Sequence, residues 1–188
     1  MTQMGFYFNQ TLCTGCYTCV IACKDWHDID DAGPVNWLRI KTIEKGNFPK
    51  PSLTYLALVC FHCVNPPCVL ACPTGAIIKR ESDGIVVVDH EKCKGNKVCP
   101  TLCFNACPWD IPQFGPEEGA KMQKCDLCLE RVEQGQQTVC VEACPMYALD
   151  AGPIDELKSK YGDIVEAEGF RYSEHFQPAV LFKPKRED

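Results

Sequence analysis

The stretch Cys13-Thr14-Gly15-Cys16-Tyr17-Thr18-Cys19-Val20-Ile21-Ala22-Cys23 places four cysteines at the spacing Cys-x2-Cys-x2-Cys-x3-Cys. Three more groups of four follow, so the sixteen cysteines of this 188-residue chain form an internal repeat. The later groups are Cys60-x2-Cys63-x4-Cys68-x3-Cys72, Cys93-x5-Cys99-x3-Cys103-x3-Cys107 and Cys125-x2-Cys128-x11-Cys140-x3-Cys144. Every group ends in Cys-x3-Cys, and proline follows all of these endings except the first, where Lys24 stands.

This repeated ending has a physical explanation in iron–sulfur chemistry. Three closely spaced cysteines on a tight loop can direct their sulfurs to one iron–sulfur cube. In the bacterial run C-x2-C-x2-C-x3-C-P, the fourth cysteine ligates the other cube of a pair. The proline ends the short helix that carries this cysteine. The sequence therefore predicts four [4Fe-4S] clusters, with all sixteen cysteines as iron ligands.

Other uses of cysteine explain the pattern less well. A disulfide scaffold is disfavoured because Cys-x2-Cys neighbours seldom bridge without strain, and nothing indicates secretion. Zinc ribbons would explain the first and fourth groups in part, but not the Cys-x3-Cys endings. Covalent c-type haem requires Cys-x-x-Cys-His, and no histidine follows Cys63 or Cys128. His62 could replace a thiolate as in Rieske centres, although its group already supplies four cysteines.

Charge and hydropathy exclude several classes of partner. The formal net charge of -6 gives no general attraction to nucleic acid. The longest apolar run, Leu53–Phe61, is far shorter than the roughly 20 residues of a membrane span. The segment Met1–Gly5 has neither a charged n-region nor an apolar h-region. We expect no direct membrane span, no export signal in this chain and assembly in the cytoplasm, with the final side of the membrane set by a partner.

The four groups predict an α+β fold of two ferredoxin-like two-cluster units, one inserted in the other, with many loops and an extended C-terminal strap. Groups two and three lie close in sequence and would form the inserted unit. Groups one and four would form the outer unit. The predicted boundaries are 1–49 plus 110–150 for the outer unit, 50–109 for the inserted unit and 151–188 for a C-terminal helix and strap.

Local patterns place short elements around the cysteine groups. Strands are predicted at Gly5–Asn9, Trp37–Glu44, Leu53–Val59 and Ile85–Asp89. Helices are predicted at Tyr17–Asp25, Pro67–Cys72 and Thr138–Cys144. Gly152-Pro153 opens a further helix, and Gly162 ends it. Residues 163–188 contain aromatic side chains without clear periodicity, and we expect them to form a strap that packs on a neighbouring subunit.

Several motifs identify a family. They are Cys13-Thr14-Gly15-Cys16, Ala22-Cys23-Lys24-Asp25, Asn65-Pro66-Pro67-Cys68, Cys72-Pro73-Thr74-Gly75-Ala76, Gly84-Ile85-Val86-Val87-Val88-Asp89, Lys124-Cys125-Asp126-x-Cys128 and Gly152-Pro153-Ile154-Asp155-Glu156-Leu157. From Gly5 to about Pro184, the chain resembles the four-cluster electron-transfer subunit of the dimethyl sulfoxide reductase family of molybdopterin enzymes, including the thiosulfate and polysulfide reductase small subunits.

The resemblance implies how the cysteines are shared among the clusters. Cys13, Cys16, Cys19 and Cys144 would hold the first cluster, and Cys125, Cys128, Cys140 and Cys23 the second. Cys60, Cys63, Cys68 and Cys107 would hold the third, and Cys93, Cys99, Cys103 and Cys72 the fourth. The first cluster would lie nearest the catalytic subunit and the fourth at the distal exit.

Group three departs from the family, because its first three cysteines are spaced more widely. Gly95 and Asn96 in the widened loop are expected to be flexible. Lys94 and Lys97 are expected to add positive charge near the distal cluster and to raise its reduction potential.

No catalytic triad, zinc-protease motif, phosphate loop or dinucleotide fingerprint is visible, so the chain is predicted to be non-catalytic. The resemblance implies anaerobic respiration, with electrons passing between a molybdenum or tungsten pterin catalytic subunit and a second partner. That second partner would be a membrane-anchor, quinone-linked subunit or a soluble carrier. Two alternatives remain: a polyferredoxin serving a hydrogenase or formate dehydrogenase, and a zinc-binding interaction module.

Overall fold

The computed structural model describes residues 2–30 and 33–185. Within them the chain is an α+β protein of short elements joined by loops. The helices are α1 (Thr18–Trp26), α2 (Pro67–Ala71), α3 (Leu102–Ala106), α4 (Leu129–Glu133), α5 (Val139–Glu142) and α6 (Ile154–Tyr161). The strands are β1 (Met4–Asn9), β2 (Arg39–Lys45), β3 (Ser52–Leu58), β4 (Ile77–Lys79), β5 (Val86–Val88), β6 (Gln113–Phe114), β7 (Met122–Gln123), β8 (Leu149–Pro153) and β9 (Val180–Lys183).

The predicted strands and helices around groups one, two and four are confirmed to within about two residues at most boundaries. The strand predicted at Ile85–Asp89 is shorter, at Val86–Val88. Helices α3 and α4 and strands β4, β6 and β7 were not predicted, because elements of two to five residues carry too few side chains to show a period. The longest helix, α1, has nine residues, and no helix of the described residues is long and apolar enough to span a membrane.

A three-stranded sheet in the order β8-β1-β9 joins the two ends of the chain. Strand β1 pairs antiparallel with β8 and parallel with β9. The side chains of Phe6 and Phe8 are buried against the core. Gly5 is required here, because a Cβ atom at this position would lie 2.4 Å from the carbonyl oxygen of Ala179.

Three two-stranded hairpins complete the strands, in the pairs β2-β3, β4-β5 and β6-β7. The cysteine-bearing helices pack in two pairs, α1 against α5 and α2 against α3. The first pair brings groups one and four together, and the second pair does the same for groups two and three.

The C-terminal segment corrects one expectation. The predicted strap packs on its own chain rather than presenting its aromatic residues to a neighbour, because β9 joins the sheet and Phe170 and Phe182 are buried. Phe170 stacks on Trp109 with ring centroids 5.6 Å apart and meets Phe61 edge-on at 5.1 Å. The segment shows no period because its aromatic residues fill separate gaps in the core. Residues 186–188 of the strap, like residues 1, 31 and 32 of the predicted outer unit, lie outside the described residues.

Helix α6 follows its predicted signals. Asp155 and Glu156 stand in its first turn, and Lys158 and Lys160 in its last, as the helix dipole favours. Gly162 ends the helix with φ 87°, in the region that suits glycine.

Candidate functional site

All sixteen cysteines are free thiols, so the chain contains no disulfide framework. Eleven are buried, and only Cys16 is classed as exposed. Most of these sulfurs are therefore shielded from water and line the interior of the protein.

Three cavities are each lined by four cysteines that come from two different motifs. Their volumes are nearly equal, about 340, 360 and 360 Å³, as expected for three copies of one occupant. We call their cysteines the first, third and fourth quartets. The first quartet is Cys13, Cys16, Cys19 and Cys144; the third is Cys60, Cys63, Cys68 and Cys107; the fourth is Cys72, Cys93, Cys99 and Cys103.

The remaining four cysteines, Cys23, Cys125, Cys128 and Cys140, form the second quartet. Burial raises the pKa of Cys23, and the charges of Cys140 and Cys128 raise it further. Burial also raises the pKa of Cys125, with Cys23 as the next cause. Group one thus contributes Cys23 to a set drawn mainly from group four. The structure brings together each set implied by the resemblance, while the ligand role of each cysteine stays a prediction.

The arrangement fits a cluster better than a single metal ion. A structural zinc ion needs its thiolates at about 2.3 Å from one point. Among the described residues, no three side chains of His, Cys, Asp or Glu are arranged to hold one metal ion. Each cavity instead has its four cysteines around an enclosed space, which suits a cubane cluster bound by four thiolates.

Hydrogen-bond donors already point at several of the sulfurs. The backbone N–H groups of Met122, Leu127 and Ala148 donate to the Sγ atoms of Cys93, Cys125 and Cys144 at 3.3–3.4 Å. Such donors stabilise the thiolate form that binds iron and raise the potential of a bound cluster.

Threonines beside the cysteines add to this set of donors. The hydroxyl of Thr18 lies 3.3 Å from Sγ of Cys16, and this contact lowers the pKa of that thiol. Thr74 and Thr138 make the same kind of contact to Cys72 and Cys140 at 3.6 and 3.5 Å. Sequence reasoning missed these three residues, although each stands two positions from a cysteine.

Backbone conformation holds the first motif in its tight loop. Gly15 has φ 67° and Tyr17 has φ 61°, both in the left-handed region. A Cβ atom at Gly15 would also lie 2.4 Å from the ring of Tyr55. Glycine is therefore required in Cys13-Thr14-Gly15-Cys16 for both its conformation and its size.

Neighbouring thiolates show which quartets adjoin. Burial raises the pKa of Cys19 to about 12, and the next cause is Cys140, so the first quartet adjoins the second. Cys60 is among the charges that, after burial, raise the pKa of Cys125, so the second quartet adjoins the third.

The third quartet adjoins the fourth in the same way. Burial raises the pKa of Cys68 to about 12, with Cys60 next and Cys103 also contributing. Cys103 belongs to the fourth quartet. The quartets thus adjoin in the order first, second, third and fourth.

His62 is fully buried between the cysteines of group two. Its Nδ1 accepts a hydrogen bond from Val86 N–H at 2.9 Å, so Nε2 carries the proton of the neutral ring. Nε2 has no hydrogen-bond partner among the described residues. Burial first, and then Lys124 and Lys79, hold the pKa of His62 well below its ordinary value. Four cysteines without His62 already belong to the third quartet, so nothing requires it as a Rieske-type ligand.

The widened loop of group three is fixed rather than flexible, which corrects another expectation. Asn96 accepts a hydrogen bond from Gly119 N–H at 2.8 Å and donates from its amide to Glu117 O at 3.3 Å. Lys97 pairs with Glu118 at 2.7 Å on the surface, so its charge is largely balanced there.

Exposed apolar side chains surround two of the quartets. Beside the first stand Tyr17, Ile21, Met146 and Tyr147, and Tyr147 is 83% exposed. Around the fourth, Val98, Leu102 and Phe104 of group three and Leu70 of the packed helix α2 are exposed. These two apolar surfaces mark candidate contact regions for other subunits.

Comparison with known proteins agrees with this site. Two profiles of the 4Fe-4S dicluster domain match residues 51–154 and 12–76. The iron–sulfur subunit of anaerobic dimethyl sulfoxide reductase from Haemophilus influenzae is 40% identical, covering 99% of this chain and 91% of the relative. The corresponding subunit of the Escherichia coli reductase is 40% identical, with 97% and 89% covered. A subunit of sulfite dehydrogenase from Allochromatium vinosum is 32% identical, with 99% and 85% covered.

Proposed function

Because the chain belongs to the family of iron–sulfur electron-transfer subunits that includes the one in anaerobic dimethyl sulfoxide reductase, we propose that it carries four [4Fe-4S] clusters and conducts electrons along them. The observation that carries the proposal is that three separate cavities each have four cysteines from two motifs around them. The second quartet supplies the fourth site.

Each quartet would hold one cluster through its four thiolates. When bound, a [4Fe-4S] cluster takes up and releases one electron at a time. The chain's own residues fix the positions of the sulfurs, exclude water from the buried ones and donate N–H and O–H groups to them. The protein thus contributes binding, orientation and electrostatics, and has no role in substrate chemistry.

The order of adjoining quartets supports a single line of four clusters. The first and fourth quartets stand at its ends, and each has exposed apolar side chains beside it. The first-quartet surface would contact a molybdenum or tungsten pterin catalytic subunit. The fourth-quartet surface would contact the outer partner, a membrane-anchor subunit or a soluble carrier.

The inserted arrangement of two units belongs to the same proposal. The packing of α1 on α5 and of α2 on α3 supports an outer unit of groups one and four and an inner unit of groups two and three. The C-terminal segment would close the outer unit, since β9 joins the sheet of β1 and β8.

The test uses the complex purified anaerobically with its native partners. Iron and acid-labile sulfide should each be about 16 per copy of this chain, because four cubes contain that number. Substituting Tyr147→Glu should weaken retention of the catalytic subunit and leave the iron content unchanged. Phe48→Glu is the matched control, since Phe48 is also exposed but lies between β2 and β3.

Three results would contradict the proposal. An iron content near eight would remove two of the clusters, and zinc in place of iron would favour the interaction module. A chain that never co-purifies with a pterin-containing subunit would favour the free polyferredoxin carrier.

A further inference from the structure

Lys124 is a buried cation with no carboxylate partner. Its side chain is almost wholly enclosed, with the residue 3% exposed. Among the described residues, no Asp or Glu lies within ion-pair distance of it. Burying an unbalanced ammonium group costs several kcal/mol unless negative charge lies nearby. The protein must therefore supply that charge in another form.

The surroundings of Lys124 supply it from two quartets. Lys124 lines the cavity of the third quartet, and its charge lowers the pKa of Cys68, opposing the larger effect of burial. It also directly precedes Cys125 of the second quartet and donates to the carbonyl oxygen of that residue at 3.0 Å. Lys124 thus stands at the junction where the second quartet adjoins the third.

Hydrogen bonds hold the ammonium group at this junction. A second N–H of Lys124 donates to the carbonyl oxygen of Val86 in β5. The N–H of Val86 in turn donates to the buried ring of His62, so the strand itself is fixed on both sides. A side chain held by two carbonyl oxygens cannot move its charge toward solvent without losing both bonds.

We propose that Lys124 is a shared positive charge that raises the reduction potentials of the clusters held by the second and third quartets. A four-thiolate cube carries a formal charge of about -2 when oxidised and one unit more negative when reduced. A fixed cation favours the more negative state, and in a buried site this effect is only weakly screened. One electron enters the junction and one leaves it, while Lys124 keeps its proton throughout.

The consequence concerns the passage between the two halves of the chain. Electrons crossing from the outer to the inner unit must move between these two clusters. Two adjacent reduced clusters repel each other, and a cation beside both lowers that repulsion. This inference rests on the ligand sets of the proposed function.

The experiment is a redox titration of each cluster by electron paramagnetic resonance, on the anaerobically purified complex. Lys124→Met removes the charge at similar volume. Lys124→Gln also removes it but keeps an N–H donor for the two carbonyl oxygens. In both variants we expect one-electron reduction of the second and third clusters to become about tenfold less favourable, which is a shift of about 59 mV.

Two control variants separate this effect from a general loss of charge. Lys79 donates to Cys63 O at 2.8 Å, so Lys79→Met should shift the third cluster and leave the second unchanged. Lys158 is exposed on α6, and Lys158→Met should shift neither potential. Lys124→Arg should keep both potentials close to those of the wild type.

The outcomes are distinct from those for the proposed function. The wild-type iron count tests the four clusters before any lysine is changed. With that count intact, unchanged potentials in Lys124→Gln would overturn the inference, as would a shift in only one cluster. Loss of iron in both neutral variants would also overturn it, because Lys124 would then be a structural contact.

Discussion

Cys144 lines the same cavity as Cys13, although Cys13 opens the first motif and Cys144 closes the fourth. The sheet explains this meeting. Strand β1 leads into the first motif, β8 leaves the fourth, and the two strands pair antiparallel with Phe8 opposite Leu149. Because paired strands lie about 5 Å apart, the last cysteine of group four is delivered beside the first loop.

Replacing Cys144 with serine should therefore alter the cluster of the first quartet. Its neighbours in sequence, Cys125, Cys128 and Cys140, belong to the second quartet and should keep an unchanged signal. Electron paramagnetic resonance of the anaerobically purified variant measures both. Cys140→Ser is the matched control and should alter the second cluster instead. A change confined to the second cluster in Cys144→Ser would show that the exchange of ligands is wrong.

Gly15 provides a test of how the first loop is built. Gly15→Ala should destabilise the loop and reduce occupancy of the first cluster. The new Cβ would meet the Tyr55 ring at 2.4 Å, and φ 67° disfavours any L side chain. Left-handed strain alone is worth about 1–2 kcal/mol. The measurement is the spin count of the first cluster's signal per chain.

Gly75 isolates the part of this effect that comes from the clash. Its φ is 64°, yet nothing lies within 4 Å of an added Cβ. Gly75→Ala should therefore show only the conformational strain, as a small loss at the fourth cluster. Equal losses in the two variants would mean that contact with Tyr55 does not shape the first loop.

The C-terminal segment should contribute strongly to stability. Phe170→Ala removes a ring that packs on Phe61, Trp109 and Phe182 with centroids 4.8–5.6 Å apart. Truncating a buried phenylalanine costs about 3–5 kcal/mol. We expect a lower denaturant midpoint and faster cluster bleaching, followed by absorbance at increasing urea under argon.

Phe48→Ala is the control for this effect, because Phe48 is 94% exposed. It should change stability by less than about 0.5 kcal/mol. If Phe170→Ala were equally harmless, the segment would not be part of the core in solution.

Asn96 should govern the durability of the fourth cluster. Asn96→Ala leaves the Gly119 N–H without its acceptor and frees the widened loop. Losing such a buried or half-buried partner costs about 1–3 kcal/mol. We expect faster loss of the fourth cluster's signal on exposure to air, while the other three decay at the wild-type rate.

Lys97→Ala tests the neighbouring surface pair in the same assay. Both Lys97 and Glu118 are largely exposed, so their ion pair is worth little. The decay rate should stay close to that of the wild type. A larger effect from Lys97→Ala than from Asn96→Ala would point to charge, and not loop anchoring, as the stabilising factor.

The sequence by itself determined the chemistry. The repeated Cys-x3-Cys endings are local, and thiolate ligation of a cube needs three cysteines within one short loop, so spacing alone predicted [4Fe-4S] chemistry. The helix from Ile154 to Tyr161 was equally readable, because its charged ends and Gly162 act within the element itself. The relatives agree with both the family and the electron-transfer role.

Only the tertiary structure decided how the sites are assembled. Each quartet takes its fourth cysteine from a distant motif, and that meeting depends on sheet pairing and helix packing that no local pattern encodes. The same holds for the aromatic residues of the C-terminal segment, which have no period because each fills a different gap. It holds for Asn96, whose partners lie across a loop, and for Lys124, which is one lysine among many in the sequence. Burial at the junction of two quartets gives Lys124 its significance, since a charge has a large effect only where water cannot screen it.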